Sequence, residues 1–573
     1  MPYAALFNHS WHSLLNSTLS VDRLVRAAGE AGMTAAGLTD RDTLAGAVEF
    51  WKQARAAGLH AVIGCEASCA DGSLLTLLAE NAAGYRSLCR LLTERIAFPE
   101  GLPPEALARH AEGVICIAGP RSAVARAVRR NQPAEPLIGG LLEIYGRNFA
   151  LGIGPHHEDD LRVARLFAEL ARRLRVPLAA GAEAHYGAPE ERLKFDILQS
   201  MRTLTLLHQP HPDKLPAGRY HFHSQAQMER YFGGLPQALE NTQRIAARCQ
   251  FDFDLGDIHF PRFPCADPLA LLRAKAEEGL RRRYGAAPQS GVRERLAREM
   301  AVIEEVGYAD YFLIFAELVE WAKARGIETL ARGSAAGSLV CYLLGISNVC
   351  PFRFGLCFER FLNRERMQFA KLADIDLDLP WDRRDEVVAH VFERYGREHV
   401  AMIGALHTFQ GRSAVAEIAK VYGIPEREAR RFTERLPAYT GDAREAFETL
   451  PECRALPLHE EPYRTVLAMA AEFDGIPRHF AMHPCGLVIS GRPVADRLPL
   501  FESAKGLPTT HYTMDDVEEL GLLKLDLLGQ AGPTGRGGFW MRRTPSGLPC
   551  ATNRPCVRCA PRISFSRPSR NNG

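Results

Sequence analysis

Residues 373–379 read Ala-Asp-Ile-Asp-Leu-Asp-Leu, a strict alternation of acidic and apolar side chains. The period of two predicts a β-strand with Asp374, Asp376 and Asp378 on one face and the apolar side chains on the other. Carboxylates that share a face repel one another, so water or cations must neutralise them. A divalent-cation site is one explanation, because hard cations bind carboxylate oxygens. A half-buried strand with a solvated acidic face is the other, whereas a calcium loop is excluded because Leu379 stands where that loop needs glycine.

The composition is that of a multidomain globular protein. The 573 residues are 46% hydrophobic and 24% charged, and this length predicts roughly three to five domains. No apolar run is long enough for a membrane span and no secretory signal is recognisable, so we expect a cytoplasmic protein with reduced cysteines and no membrane partner. Residues 530–573 carry eight Arg and no Lys, Asp or Glu, against a net charge of +2 for the whole chain. The rest of the chain is therefore mildly acidic, and any nucleic-acid surface must be local.

The first 250 residues alternate short apolar strands with amphipathic helices. Residues 34–40 and 60–66 are typical of strands, and residues 44–57, which lie between them, are typical of a helix. This rhythm predicts a parallel α/β sheet, in which chemistry sits at the carboxyl ends of the strands. Four polar residues stand at such ends, namely His9, Asp40, Glu66 and His185.

Together with the runs at 81–86 and 181–186, these residues resemble the PHP domain over residues 1–250. The resemblance implies a distorted (β/α) barrel of the metal-dependent phosphoesterase type. It also implies a cluster of metal-binding residues, whose members in this sequence are His9, Asp40, Glu66, Glu183 and His185.

The PHP ligand set is incomplete in this sequence. Phe7 and Arg41 replace histidines of the family pattern, Asn16 replaces an aspartate, and Glu183 replaces another. Phe removes a ligand, and Arg places a positive charge where a cation should bind. We therefore expect a degenerate site without Zn²⁺ or Mn²⁺. The alternative is an active metal phosphoesterase or 3′-5′ exonuclease.

A second motif precedes the acidic strand by about forty residues. Residues 331–340 read Ala-Arg-Gly-Ser-Ala-Ala-Gly-Ser-Leu-Val. Small residues before an apolar helix allow backbone N–H groups to approach an anion, and the helix dipole and Arg332 add positive charge. Tight helix packing is the alternative for the loop alone. With the acidic strand, the loop favours phosphoryl or nucleotidyl transfer at two metal ions.

A further apolar strand is predicted at residues 521–529, where Lys524 and Asp526 share one face. Taken alone, this pair is explained equally well by a structural ion pair.

Four segments, residues 304–314, 331–340, 358–363 and 374–378, resemble the alpha-subunit family of bacterial DNA polymerase III. The resemblance implies an α/β and α+β multidomain protein, with a nucleotidyltransferase-like palm at 251–405, a helical thumb at 406–483 and a return to the palm at 484–529.

The same resemblance implies site residues and partners. Asp374, Asp376 and Asp526 would hold two Mg²⁺ ions, and Lys524 would stand near the reacting phosphate and the primer end. Arg332, Gly333 and Ser334 would bind the triphosphate of an incoming dNTP. The expected partners are primer–template DNA, dNTP and other replisome or repair-polymerase subunits.

The resemblance stops at Gly529. Residues 530–573 are rich in Arg, Pro, Ser and Gly, a composition typical of a disordered segment and of out-of-frame translation. We expect a polymerase truncated after the palm, without fingers or clamp-binding region, that extends primers poorly or not at all. A non-catalytic DNA-binding remnant is the remaining alternative.

Overall fold

A computed structural model describes residues 3–363, 373–435, 451 and 459–530. The predicted disordered tail lies outside these residues apart from Gln530, as does part of the predicted thumb. Within the described ranges, no helix is long and apolar enough to cross a membrane.

The amino-terminal half alternates helices with the strands of one sheet. Its helices are α1 Val21–Glu30, α2 Ala47–Ala56, α3 Ala82–Glu94, α4 Pro104–Arg109, α5 Ala123–Arg129, α6 Glu135–Tyr145, α7 Glu158–Leu174, α8 Arg192–Thr203, α9 Gln225–Phe232 and α10 Pro236–Arg248. Its strands are β1 Ala35–Arg41, β2 His60–Ser68, β3 Leu74–Ala79, β4 Val114–Ala118, β5 Phe149–Ile153 and β6 Leu178–Ala180.

The six strands pair in sequence order, but the sheet is not wholly parallel as predicted. Strand β3 runs antiparallel to both β2 and β4. The reason is the short connection between β2 and β3, which suits a hairpin, whereas a parallel crossover needs a dozen or more residues.

The predicted distorted barrel is confirmed by the first residues of the chain. Ala5 bridges to Ala36 of β1, and Asn8 bridges to Ala184 just after β6. This segment therefore links the two outer strands and brings the carboxyl ends of β1, β2 and β6 around His9.

The carboxyl-terminal half combines helices with a second sheet. Its helices are α11 Pro268–Tyr284, α12 Ser290–Val306, α13 Ala309–Ala324, α14 Leu339–Leu344, α15 Arg384–Tyr395, α16 Gly411–Val421, α17 Glu426–Thr433, α18 Tyr463–Phe473 and α19 Met514–Glu519. Its strands are β7 Leu330–Arg332, β8 Asp376–Pro380, β9 Val400–Thr408, β10 Pro477–Ile489, β11 Leu500–Glu502, β12 Pro508–Thr510 and β13 Lys524–Gln530.

The second sheet has the strand order β11-β12-β9-β10-β13-β8-β7. Strand β8 begins at Asp376, three residues later than predicted, but the alternation holds: Ile375, Leu377 and Leu379 are buried, and the acidic residues point the other way. Burying such side chains is worth about 1.5–3 kcal/mol each. The apolar face therefore fixes β8 in the sheet.

The helical region predicted as the thumb is an insertion between β9 and β10. Because Thr408 pairs with Pro477, the predicted limits at 406 and 483 fall inside these two strands. The described helices α16, α17 and α18 share a core with Ile197, Leu198 and Met201 of α8. The insertion thus packs against the amino-terminal half.

The two halves also share one continuous core. Apolar side chains of the second sheet, including Ile403 and Val488, belong to the same buried cluster as those of the first. The Tyr85 and Tyr512 hydroxyls lie 2.7 Å apart, and Thr43 contacts His511 at 2.9 Å. These contacts hold the halves in a defined relative position.

The amino terminus of α14 is occupied by a carboxylate from within the chain. Glu299 of α12 accepts hydrogen bonds from the backbone N–H groups of Leu339 (2.7 Å) and Val340 (3.1 Å) and from the Ser338 hydroxyl (3.0 Å). Arg295 donates to its other oxygen at 2.8 Å. The N–H groups at this helix end are therefore already satisfied by Glu299, whereas anion binding by Arg332, Gly333 and Ser334 stays a prediction.

We expect Glu299→Ala to lower the free energy of unfolding by about 3–5 kcal/mol, since it removes the counter-ion of the part-buried Arg295 and leaves the N–H groups of Leu339 and Val340 without an acceptor. Chemical denaturation measures the change. The matched control is Glu294→Ala on the exposed side of the same helix, which should change stability by less than about 0.5 kcal/mol. Equal effects of the two substitutions would contradict the assignment.

Candidate metal centre

Strands β8 and β13 lie side by side and bring two carboxylates together. They pair in parallel, with Asp376 directly opposite Asp526. Asp374 lies two residues before Asp376, the first residue of β8, and one carboxylate oxygen from each of the three residues lies within 4.8 Å of the others. The structure thus brings together the three carboxylates that the sequence predicted as metal ligands.

The electrostatics of this cluster favour a bound cation. Burial raises the pKa of Asp376, and the neighbouring charges of Asp374 and Asp526 raise it further. The Oδ1 atom of Asp526 is buried without a hydrogen-bond donor, which leaves a costly unsatisfied acceptor. Converging carboxylate oxygens with an unsatisfied acceptor fit a hard divalent cation.

The third acidic residue of the strand has a different environment. The Oδ1 atom of Asp378 lies 3.5 Å from Nε of Arg332 and accepts a hydrogen bond from Gln530 at 3.1 Å. Its charge is therefore compensated by protein groups, and Asp378 does not belong to the metal-binding cluster.

The predicted triphosphate-binding residues lie beside the carboxylates. Gly333 begins a 3₁₀ turn, Gly333–Gly337, and its φ of +69° is accessible to glycine at little cost. A Cβ atom there would stand 3.5 Å from Oδ2 of Asp376. Arg332, Gly333 and Ser334 are all exposed, so a ligand at the cluster can reach them.

Lys524 is, among the described residues, the cation nearest to the carboxylates. Its Nζ atom lies 2.8 Å from Glu518, 3.2 Å from Asp526 and 3.4 Å from Asp374. Burial alone would lower the pKa of Lys524, but these three carboxylates outweigh it and raise the pKa above its usual value. The sequence reasoning missed Glu518. Its position six residues before Lys524, in a short helix that turns into β13, was the available signal.

The predicted PHP-site residues also meet, but around an arginine. Arg121 donates to both oxygens of Glu66 at 2.8 and 2.9 Å and lies 2.8 Å from Glu183. His9 stands 3.8 Å from Glu66, and its ring stacks on His185 at 4.4 Å. Within the described ranges, these residues do not form a group whose ligand atoms could share a metal ion.

Asp40 is satisfied without a metal. Its carboxylate accepts hydrogen bonds from the backbone N–H of Ser10 (2.6 Å) and from the hydroxyls of Ser10 (2.7 Å) and Ser13 (2.6 Å). Burial nevertheless raises its pKa to about 6. These hydrogen bonds engage both carboxylate oxygens, which Asp40 would otherwise use to coordinate a metal ion.

Arg121 supplies the positive charge of this site. Burial opposes ionisation of Glu66, but Arg121, His9 and Arg41 together keep its pKa below the usual value. Burial lowers the pKa of His9 to about 4 and raises that of Glu183 to about 7. The sequence reasoning missed Arg121, although it follows β4 at the same end of the sheet as the other polar residues.

Two family models match this chain. The model described as bacterial DNA polymerase III alpha NTPase domain matches residues 270–529, and the PHP domain model matches residues 6–156. Both candidate sites lie mainly within these ranges. An amidohydrolase structure from Chromobacterium violaceum overlaps 40% of this chain and 96% of its own, at 15% identity and a TM-score of 0.22, which is too low to support an argument.

The curated relatives carry polymerase names. The DNA polymerase III subunit alpha of Thermus aquaticus is 32% identical over 92% of this chain and 51% of its own length. The error-prone DNA polymerase of Symbiobacterium thermophilum is 34% identical over 92% of this chain and 51% of its own length. This chain therefore spans about half the length of these relatives. The chain therefore carries a PHP domain ahead of a bacterial DNA polymerase III alpha NTPase domain, and it is similar over 92% of its length to proteins named DNA polymerase III subunit alpha and error-prone DNA polymerase.

Proposed function

We propose that this chain carries the nucleotidyl-transfer centre of a DNA-directed DNA polymerase, in which a primer 3′-OH attacks a dNTP. The proposal depends on one observation: Asp374, Asp376 and Asp526 each bring a carboxylate oxygen within 4.8 Å of the others, and Arg332 and Lys524 are the described cations whose charges act on Asp376. Like charges so close are unfavourable without counter-ions.

The three aspartates would hold Mg²⁺ in this proposal. Two ions bound there would stabilise the attacking and leaving oxygens of the in-line displacement. Asp376 and Asp526 lie opposite each other on neighbouring strands, and Asp374 lies in the segment that leads into β8. The ligands therefore come from a rigid sheet, which favours accurate positioning of the reacting groups.

Arg332, Gly333 and Ser334 would bind the triphosphate. Gly333 brings the loop backbone next to Asp376, and the exposed Arg332 adds a full positive charge beside it. With the helix dipole of α14 neutralised by Glu299, the attraction for phosphate would come from Arg332 and from the loop N–H groups. Lys524 would contribute a second charge near the primer end.

The partners would be primer–template DNA and dNTP, with other replisome or repair-polymerase subunits, as the names of the relatives suggest. We assign residues 1–250 to the PHP domain, 251–405 and 484–529 to the palm, and the described helices between β9 and β10 to the thumb. Contact between that insertion and α8 would make the PHP domain its support.

We also propose that the PHP domain of this chain is structural, not a Zn²⁺ or Mn²⁺ phosphoesterase. Arg121 lies between Glu66 and Glu183 and would supply the charge that a metal supplies in an active site. A guanidinium so placed would exclude a cation by repulsion and by its volume.

Mn²⁺ binding, measured by electron paramagnetic resonance, tests the metal centre. Asp376→Asn with Asp526→Asn should weaken binding by about tenfold or more, because each substitution removes a charged ligand oxygen. Asp382→Asn, an exposed residue just after β8, should leave the affinity unchanged. The metal centre is misassigned if the double variant binds as tightly as the parent chain.

Primer extension tests the chemistry. Any extension by the chain should fall by about 100-fold or more in Asp374→Ala/Asp376→Ala, since the groups that stabilise developing charge are lost. The assay uses labelled primer–template with protein in excess, so that a slow reaction is seen. Extension that persists at the parental rate in the double variant would refute the proposal.

Arg121→Met should lower the free energy of unfolding by about 3–5 kcal/mol, because Glu66 and Glu183 lose their buried counter-ion. Arg126→Met, which removes an exposed ion pair with Asp71, should cost less than about 1 kcal/mol. Denaturant titration of the full chain measures both changes.

Metal analysis completes the test of the PHP site. A chain carrying Asp374→Asn, Asp376→Asn and Asp526→Asn should retain no stoichiometric Zn²⁺ or Mn²⁺ after gel filtration. Stoichiometric metal together with phosphodiesterase turnover in that variant would show that the PHP site is active.

A further inference from the structure

The Lys524 ammonium contacts carboxylates of the candidate metal centre and one carboxylate outside it. Asp374 and Asp526 belong to the candidate metal centre, whereas Glu518 belongs to α19, outside it. The ammonium lies closest to Glu518, at 2.8 Å, against 3.2 Å for Asp526 and 3.4 Å for Asp374. The lysine side chain is 13% exposed, so its charge is poorly screened by water.

A divalent cation and the Lys524 ammonium compete for the same oxygens. A cation bound to Asp374 and Asp526 would stand within a few ångströms of Nζ and repel it. An ammonium with no other partner would then oppose binding. Glu518 offers that partner, because it contacts Nζ without belonging to the group of three aspartates that could hold a metal.

We propose that Glu518 is a positioning residue that holds the Lys524 ammonium at the edge of the carboxylate cluster while a divalent cation occupies Asp374, Asp376 and Asp526. Without the cation, Lys524 neutralises Asp374 and Asp526 in its place. The inference rests on the metal centre of the proposed function and adds a residue to it.

Helix α19 holds Glu518 in place. Thr513 caps the helix by donating its backbone N–H (3.1 Å) and its hydroxyl (2.8 Å) to Asp516. Met514 lies one turn before Glu518 and also contacts Nζ of Lys524, at 3.4 Å. On the other side, Glu519 pairs with Lys52 of the amino-terminal half. The anchor is therefore present before any cation binds.

Mn²⁺ affinities in a double-mutant cycle test the proposal. Glu518→Gln keeps the shape but removes the charge that holds the ammonium, and it should weaken Mn²⁺ binding by about fivefold or more. Lys524→Met removes the competing ammonium and should tighten binding. In the Lys524→Met background, Glu518→Gln should change the affinity by less than about twofold.

Asp515→Asn is the matched control, since it removes an exposed negative charge from the same helix and should change the affinity by less than about twofold. Thermal unfolding confirms that each variant is folded. If Glu518→Gln weakens Mn²⁺ binding equally in the parent chain and in the Lys524→Met background, Glu518 acts only through its long-range electrostatic field and the proposal fails. The proposal also fails if Glu518→Gln does not weaken Mn²⁺ binding in the parent chain. If the parent chain binds no Mn²⁺, the proposed metal centre itself fails, a result distinct from the pattern within the cycle.

Discussion

Asp376 and Asp526 lie directly opposite each other on the neighbouring parallel strands β8 and β13. The second sheet has to hold these two carboxylates side by side despite their repulsion. Two such charges ~5 Å apart repel by about 3 kcal/mol at an effective dielectric constant of 20. On the opposite face of the sheet, Leu377, Leu525 and Leu527 are fully buried, and each contributes about 1.5–3 kcal/mol. Burial therefore outweighs repulsion and fixes the register, since a slip of one residue would expose the leucines.

The two candidate sites differ in how the charge of their carboxylates is compensated: Glu66 and Glu183 are buried, whereas Asp374 and Asp376 are only part-buried beside the buried Asp526. Arg121 lies between Glu66 and Glu183, so the guanidinium donates hydrogen bonds to Glu66 and forms an ion pair with Glu183 at the same time. Lys524 instead lies to one side of Asp526, whose second oxygen has no donor. The first cluster is neutralised permanently by its own chain. The second is neutralised only in part, and its neighbouring loop at Gly333 is open to solvent.

Contacts that repeat along the chain could be predicted from the sequence pattern, whereas contacts between distant segments could be predicted only where the family resemblance implied them, as for Asp526. The alternation at 373–379 predicted the face shared by Asp374 and Asp376, because strand periodicity is local. Glu299 and Arg121 were missed, since the backbone and side-chain groups that they bind in other elements lie far away in the sequence, as Leu339 and Glu66 do. The sequence also could not show that the amino terminus of α14 is unavailable to an external anion, because Glu299, which occupies it, belongs to the distant helix α12.

Helix α19 explains why the two halves have to be considered together. Its residue Val517 is buried in the core cluster that both sheets share, Glu519 pairs with Lys52 of α2, and Glu518 pairs with Lys524. A displacement of the amino-terminal half would therefore move Glu518, which contacts the Lys524 ammonium beside the candidate metal centre. A PHP domain whose own carboxylates are neutralised by Arg121 can still influence the second site, because its packing sets the position of α19.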